Sequence, residues 1–177
     1  SRSLYTLKQM KNLLDGRHLK LLFCAYIKSH IDYADIFYCL CNKSTLKPLE
    51  TIYKRAIRIL CGAGYRDHTK PLFIQQNILP IKENSDFNIL KIMFRRDHNN
   101  LPSCLSDFWR RNIDVSRREG RLAQNFFQES INFNSLEKHP FFYIPKLFND
   151  LSDIIKSSEN EKEFNKPIKI KLLYIIE

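Results

Sequence analysis

The sequence predicts a mainly α protein, and three observations carry that prediction. Apolar side chains recur at three- and four-residue steps from residue 3 to residue 96, the period of helices that each bury one face. Only four of 177 residues are glycine, too few for a turn-rich sandwich or barrel. Apolar residues make up 44% and charged residues 27%, the balance of a chain that buries a core rather than of a disordered tail. Six to eight helices are expected, with at most a minor β-hairpin within residues 117–136.

Taken in order, residues 2–14 place Leu4, Leu7, Met10, Leu13 and Leu14 on one helical face with Lys8 and Lys11 beside it, and Gly16 is expected to end that helix. Residues 17–29 form a second helix with Leu19, Leu22, Phe23, Tyr26 and Ile27 inward. Its broad hydrophobicity marks it as central. Residues 30–41 mix β-formers with tyrosine and aspartate and lack a clean period, so a short extended or irregular segment is expected. Asp32 and Asp35 admit two readings there, a carboxylate pair for metal or acid/base work, or helix-end capping and pairing with a nearby cation. We favour the second.

The organising element lies in residues 44–62. Leu49, Ile52, Tyr53, Ala56 and Leu60 share one face of a helix, and Lys47, Glu50, Lys54 and Arg58 another. Ser44 or Thr45 is expected to cap its start, Pro48 to sit in the first turn, and Gly62 to supply a left-handed stop. The following loop displays Tyr65, Arg66, His68 and Lys70, a mixture of aromatic and cationic groups able to stack on bases and hold phosphates. Arg66 and Lys70 are the stronger candidates; His68 is equally suited to bonding backbone at the turn.

A short helix is expected over residues 72–77 and a long one over 81–96, with Phe87, Leu90, Ile92, Met93 and Phe94 mostly inward. Another short helix spans 102–109. Arg110, Arg111, Arg117, Arg118 and Arg121 then crowd a polar stretch that reads either as a solvated linker or as an extension of a nucleic-acid surface. Leu122, Phe126, Phe127, Ile131 and Phe133 allow two short hairpin strands. A helix over 140–151 has Pro145 in its first turn, and a last helical segment is interrupted or kinked at Pro167. These changes divide the chain into a helical domain, residues 1–112, and an appendage, residues 113–177, that holds the arginine-rich connector, the hairpin and the terminal helices.

The net charge is +10 and unevenly placed. Residues 1–75 hold 13 Lys/Arg against 5 Asp/Glu, net +8, and residues 76–177 hold 16 against 14, net +2. A concentrated positive surface suits a polyanion, because neutralising phosphates releases condensed counterions; a basic chain without such a partner is the alternative. Five cysteines without a Cys-x-x-Cys pair, Cys39 and Cys41 standing two apart, suggest buried thiols in a reducing compartment and no zinc site. The longest apolar run, residues 21–27, is too short to span a bilayer, and no signal peptide is visible. An intracellular protein of nucleus or cytoplasm is expected. Ser1 in place of methionine points to a piece of a longer chain.

Four words in fixed order carry a family likeness: HIDYADIFY (30–38), LKPLETIYKRAIRIL (46–60), YRDHTKPLF (65–73) and YIPKLFNDL (143–151). Together they resemble the region downstream of the catalytic palm in non-LTR (LINE-type, jockey-like) retrotransposon reverse transcriptases. The likeness extends over roughly the whole chain and is strongest in its first half. Ile144 and Phe148 depart from the family word, which has glycine and tryptophan at those places, as in a diverged copy. The resemblance implies that residues 1–112 are a helical, thumb-like domain that holds template and primer. The palm and fingers of the parent polymerase, with their Mg²⁺, would lie upstream.

The chain has no Asp-Asp pair for two-metal chemistry, nor a Ser/His/Asp, His-Glu-x-x-His or nucleotide-binding word. No catalytic residue, metal ligand or cofactor is therefore assigned to it. The candidate nucleic-acid-binding residues are Lys54, Arg55, Arg58, Arg66 and Lys70. RNA, RNA–DNA hybrid or duplex DNA is the expected partner, together with the palm and fingers of the parent, and no membrane. An autonomous or domesticated helical nucleic-acid-binding protein, or an inactive retroelement remnant, is the alternative.

Overall fold

The computed structural model describes residues 2–33, 35–116, 120–128 and 139–174. Among them the regular structure is helical. The elements are α1 (Arg2–Met10), α2 (Gly16–Phe23), a π-helical turn (Cys24–Lys28), α3 (Ser29–Tyr33), α4 (Asp35–Leu40), α5 (Lys43–Cys61) and α6 (Lys70–Gln76). They continue as α7 (Ile81–Asp97), α8 (Ser103–Ser106), α9 (Asn112–Ser116), α10 (Pro140–Asn149), α11 (Asp153–Lys156) and α12 (Glu161–Tyr174). The mainly α class expected from the sequence is the class observed. Helices outnumber the expected six to eight because several are a single turn.

The chain forms two compact units, Ser1–Ser85 with Ile170–Glu177, and Asp86–Lys169. The boundary expected at residues 112/113 falls inside the second. Arginine density marked that place in the sequence, yet Arg111 pairs with Asp97 and donates to Gln124 Oε1 at 2.7 Å. Residues 110–112 are thus built into their unit instead of linking two.

In the first unit the core gathers Leu7 from α1, Leu19 and Phe23 from α2, Ile27 and Ile31 beyond it, Tyr53, Ala56, Ile57 and Leu60 from α5, and Phe73 from α6. Phe23, Tyr53 and Phe73 form an aromatic row with centroids 5.7 and 5.6 Å apart. Each large apolar side chain removed from water contributes about 1.5–3 kcal/mol, so α5, with four core residues, is the element the others pack against. Its predicted stripe holds for Tyr53, Ala56 and Leu60, while Leu49 and Ile52 are half-buried. Gly62 closes the helix in the left-handed region at φ 69° as expected, with its N–H reaching back to Ile59 O.

Local signals misplaced several boundaries. α1 ends at Met10, and Gly16 opens α2 instead of closing α1, because the Asp15 carboxylate accepts from His18 N at 2.9 Å and caps the new helix. Leu13, expected inward, is exposed in the intervening turn. The wider π turn after Phe23 carries Ile27 inward and leaves Tyr26 exposed. Residues 29–33 and 35–40 are helical, not extended. Asn84, distant in sequence, donates to Asp32 at 2.9 Å and to buried Asp35 at 3.0 Å, anchoring that segment. α5 starts at Lys43, after Asn42 and without a side-chain cap, so Pro48 lies inside the helix and Ser44 and Thr45 do not cap it.

The second unit packs Phe94, Phe126, Phe148 and Phe164 together. Phe94 and Phe164 stack at 4.2 Å, and Phe126 meets Phe148 edge-on at 5.4 Å. The expected hairpin is not supported. Among the described residues of that stretch, Leu122 lies in a turn and Phe126 makes one antiparallel bridge, to Arg111. Asn149 clips the same backbone, donating to Phe126 O at 2.9 Å and accepting from Phe126 N at 3.0 Å, which satisfies groups a partner strand would otherwise take. Ile131 and Phe133 lie outside the described residues. Pro145 sits in the middle of α10, and α12 runs unbroken through Pro167. Buried Phe164 and Ile168 flank Pro167 one turn apart, and their burial outweighs the cost of about 3 kcal/mol that a helical proline carries.

Candidate nucleic-acid interface

The cationic surface is built where α1 meets the end of α5. Leu7 is buried and Leu4 half-buried, which fixes α1 on the core and leaves Tyr5, Lys8 and Lys11 outward. At the end of α5, left-handed Gly62 redirects the chain, and Ala63 N donates to Arg58 O at 2.9 Å. Residues 64–67 then form a tight turn. Asp67 N donates to Gly64 O at 3.2 Å, Gly64 N donates to the Asp67 carboxylate at 2.6 Å, and Arg58 Nε donates to Asp67 O at 2.9 Å. A Cβ on Gly64 would stand 3.3 Å from that carboxylate, so a small residue suits the turn. Its tip presents Tyr65 and Arg66 to solvent.

The resulting groove, about 720 Å³, has an apolar floor that includes Leu4 and Ile59. Lys8, Lys11, Arg55 and Arg58 line it, and none of its described lining residues is a carboxylate. Lys11 ends beside Gly62, 3.8 Å from where a Cβ would be, a position that favours a cation at the negative end of the α5 dipole. The side chains of Lys8, Lys11 and Arg55 enter no ion pair or hydrogen bond among the described residues. Four like charges in one concavity raise the local potential for an anion well above that of a flat surface.

Of the five residues singled out by the sequence, Arg55 and Arg58 line this groove, and Arg66 stands exposed on the adjoining turn. Lys54 and Lys70 line a separate depression of about 400 Å³, with His68, Lys82, Glu50 and Glu83. Lys54 there faces Glu50 at 3.8 Å. The two carboxylates make that depression less attractive to phosphate. Arg58 also serves the fold, since its Nε holds the turn. Sequence reasoning placed Lys8 and Lys11 beside the apolar face of α1 without joining them to Arg55. Their meeting depends on how α1 packs against α5, which no local pattern records.

The other candidates are engaged elsewhere. Lys28 Nζ donates to both oxygens of Asp32 at 2.6 and 2.7 Å and to Asn84 Oδ1 at 3.0 Å. The Asp32/Asp35 pair is thus a packed polar cluster with a cation and an amide, in line with its structural reading. Burial, with Asp32 and Cys24 adding to it, pushes the Tyr53 phenol well above its ordinary 10.0, and its hydroxyl donates to Leu79 O at 3.4 Å. Arg110 lines a cavity of about 340 Å³ with Phe108, Trp109, Phe127 and Phe141, and the Arg111 guanidinium lies 5.8 Å from the Phe126 ring centroid. Arg117 and Arg118 lie outside the described residues. Among those described, no group of three or more His, Cys, Asp or Glu is placed to hold a metal ion, and no helix is long and apolar enough to cross a membrane.

Comparison with protein-family models, curated proteins and solved structures finds no match to this chain.

Proposed function

We propose that the chain is the non-catalytic, thumb-like part of a retroelement RNA-directed DNA polymerase, a helical module that holds template and primer without reading their sequence. The ordered words of the sequence supply the retroelement part of this reading. The observation that carries the binding part is the groove in which Lys8 of α1 and Lys11 just after it meet Arg55 and Arg58 of α5 with no carboxylate among its described lining residues. Cations so placed grip phosphates regardless of base, and the palm and fingers of the parent supply the metal-dependent chemistry.

Anisotropy of a labelled RNA–DNA hybrid, titrated across a range of salt, tests the reading. If four phosphates are neutralised, the log–log slope of affinity against salt is about −3 to −4, by the counterion rule of roughly 0.9 per contact. Affinity that does not change with salt, or no binding at the lowest salt, contradicts it.

A further inference from the structure

Phosphate holding does not require what stands beside the cations. Tyr5 and Tyr65, lining the same groove, are 66% and 75% exposed. Neither ring is buried by the fold, and both are carried on fixed backbone. Tyr5 projects from α1 two residues before buried Leu7. Tyr65 sits on a turn closed at both ends by the Asp67 carboxylate and backbone and braced by Arg58. With the backbone fixed, a tyrosine has only two side-chain torsions to lose when something stacks on its ring. Asn12 adds an amide that can both donate and accept.

We infer that this groove takes an unpaired nucleic-acid strand, its bases stacked on Tyr5 and Tyr65 and its phosphates held by Lys8, Lys11 and Arg55. The inference rests on the nucleic-acid-binding reading above and specifies which form of nucleic acid the groove holds by its bases as well as by its phosphates. Bases inside a duplex have both faces covered by their neighbours, so a duplex gives exposed tyrosines nothing to stack on. Unstacked bases are the usual partners of exposed aromatic side chains in a basic groove. A concavity of about 720 Å³ is also of the size that encloses small ligands, so it encloses part of an unpaired strand, whereas a duplex meets only the groove's cations, through its phosphates. Every base has a π face, so stacking keeps the binding tolerant of sequence.

The test uses the full chain, labelled oligouridylate and oligothymidylate, and a blunt duplex matched to them in phosphate number. Two double variants are compared with the parent, Tyr5→Ala/Tyr65→Ala and Tyr5→Phe/Tyr65→Phe. Both positions are exposed, and circular dichroism checks that the helices persist. The alanine pair is expected to weaken single-strand binding by at least about tenfold, with the salt slope and duplex binding unchanged, and the phenylalanine pair to bind like the parent. The oligouridylate and oligothymidylate arms show whether the strand is RNA, DNA or either. Single-strand binding within twofold of the parent in the alanine pair overturns the inference, as does an equal loss on duplex. So does matching binding of polyglutamate that falls in step in the same variant, since an acidic protein segment is then the occupant. Absence of binding by the parent to any of the oligonucleotides instead removes the nucleic-acid reading itself.

Discussion

The two compact units use their cations for different ends. Ser1–Ser85 with Ile170–Glu177 carries 15 Lys/Arg against 7 Asp/Glu, net +8, and Asp86–Lys169 carries 14 against 12, net +2. In the second unit several of the cations are taken up by the fold. Arg95 makes paired hydrogen bonds to Glu161 at 3.0 and 3.1 Å with Lys91 3.5 Å from the same carboxylate, Arg111 pairs with Asp97, and Lys156 donates to Asn149 O at 2.9 Å. In the first unit Lys8, Lys11 and Arg55 surround a groove without partners of their own among the described residues. Near-equal numbers of Lys and Arg therefore give one unit internal cross-links and the other an anion-attracting face. The number of carboxylates within reach decides which.

The largest effect expected from this comparison concerns what the units share, an aromatic core. Phe23 in the first and Phe164 in the second are fully buried, against Tyr53 and against Phe94 and Phe148 respectively. Phe23→Ala and Phe164→Ala are each expected to cost about 3–5 kcal/mol, a large share of a domain's stability, as read from urea unfolding. A loss under about 1 kcal/mol at either site would show that its unit does not depend on the core described.

A smaller effect tests the cross-linked unit. The hydrogen bond from Arg95, with the charges of Arg95 and Lys91, holds the Glu161 carboxyl below its ordinary 4.5. A carboxylate whose folded pKa is depressed stabilises the fold above its unfolded pKa, and that contribution is lost as pH falls through the folded value. Glu161 is about one-third exposed, so solvent screening limits the effect to less than about 1 kcal/mol. Glu161→Gln is expected to lower the urea midpoint near neutral pH slightly and to flatten its fall below pH 4.5. An identical pH dependence in the variant would mean that the ion pair contributes nothing to stability.

Much of the fold was legible in the sequence because helical periodicity is local. The stripe Tyr53, Ala56 and Leu60 and the stop at Gly62 needed no knowledge of the rest of the chain. Errors came where a distant partner decided the outcome. Residues 30–41 have no helical period of their own and are anchored by Asn84, which bridges Asp32 and Asp35; Phe126 has the neighbours of a strand residue, but Asn149 clips its backbone. The candidate interface shows the same division. Arg55, Arg58 and Arg66 were visible as cations on a helix and its following loop, whereas Lys8, Lys11 and Tyr5 join them only through the packing of α1 against α5. Lys54 was placed beside Arg58 on spacing alone, and the structure seats it next to Glu50 in another depression.

The contrast between the units is tested most directly by neutralising three exposed cations in each and comparing salt slopes on the same oligonucleotide. Lys8→Gln/Lys11→Gln/Arg55→Gln removes three of the groove's four charges while leaving Arg58 to hold its turn. Arg121→Gln/Lys162→Gln/Lys166→Gln removes as much charge from the second unit at exposed sites. The first triple is expected to reduce the magnitude of the log–log slope by about 2 to 3 and to weaken binding at low salt, and the second to leave the slope near that of the parent. Equal losses from the two triples, or a loss confined to the second, would contradict the assignment of the binding surface to the groove between α1 and α5.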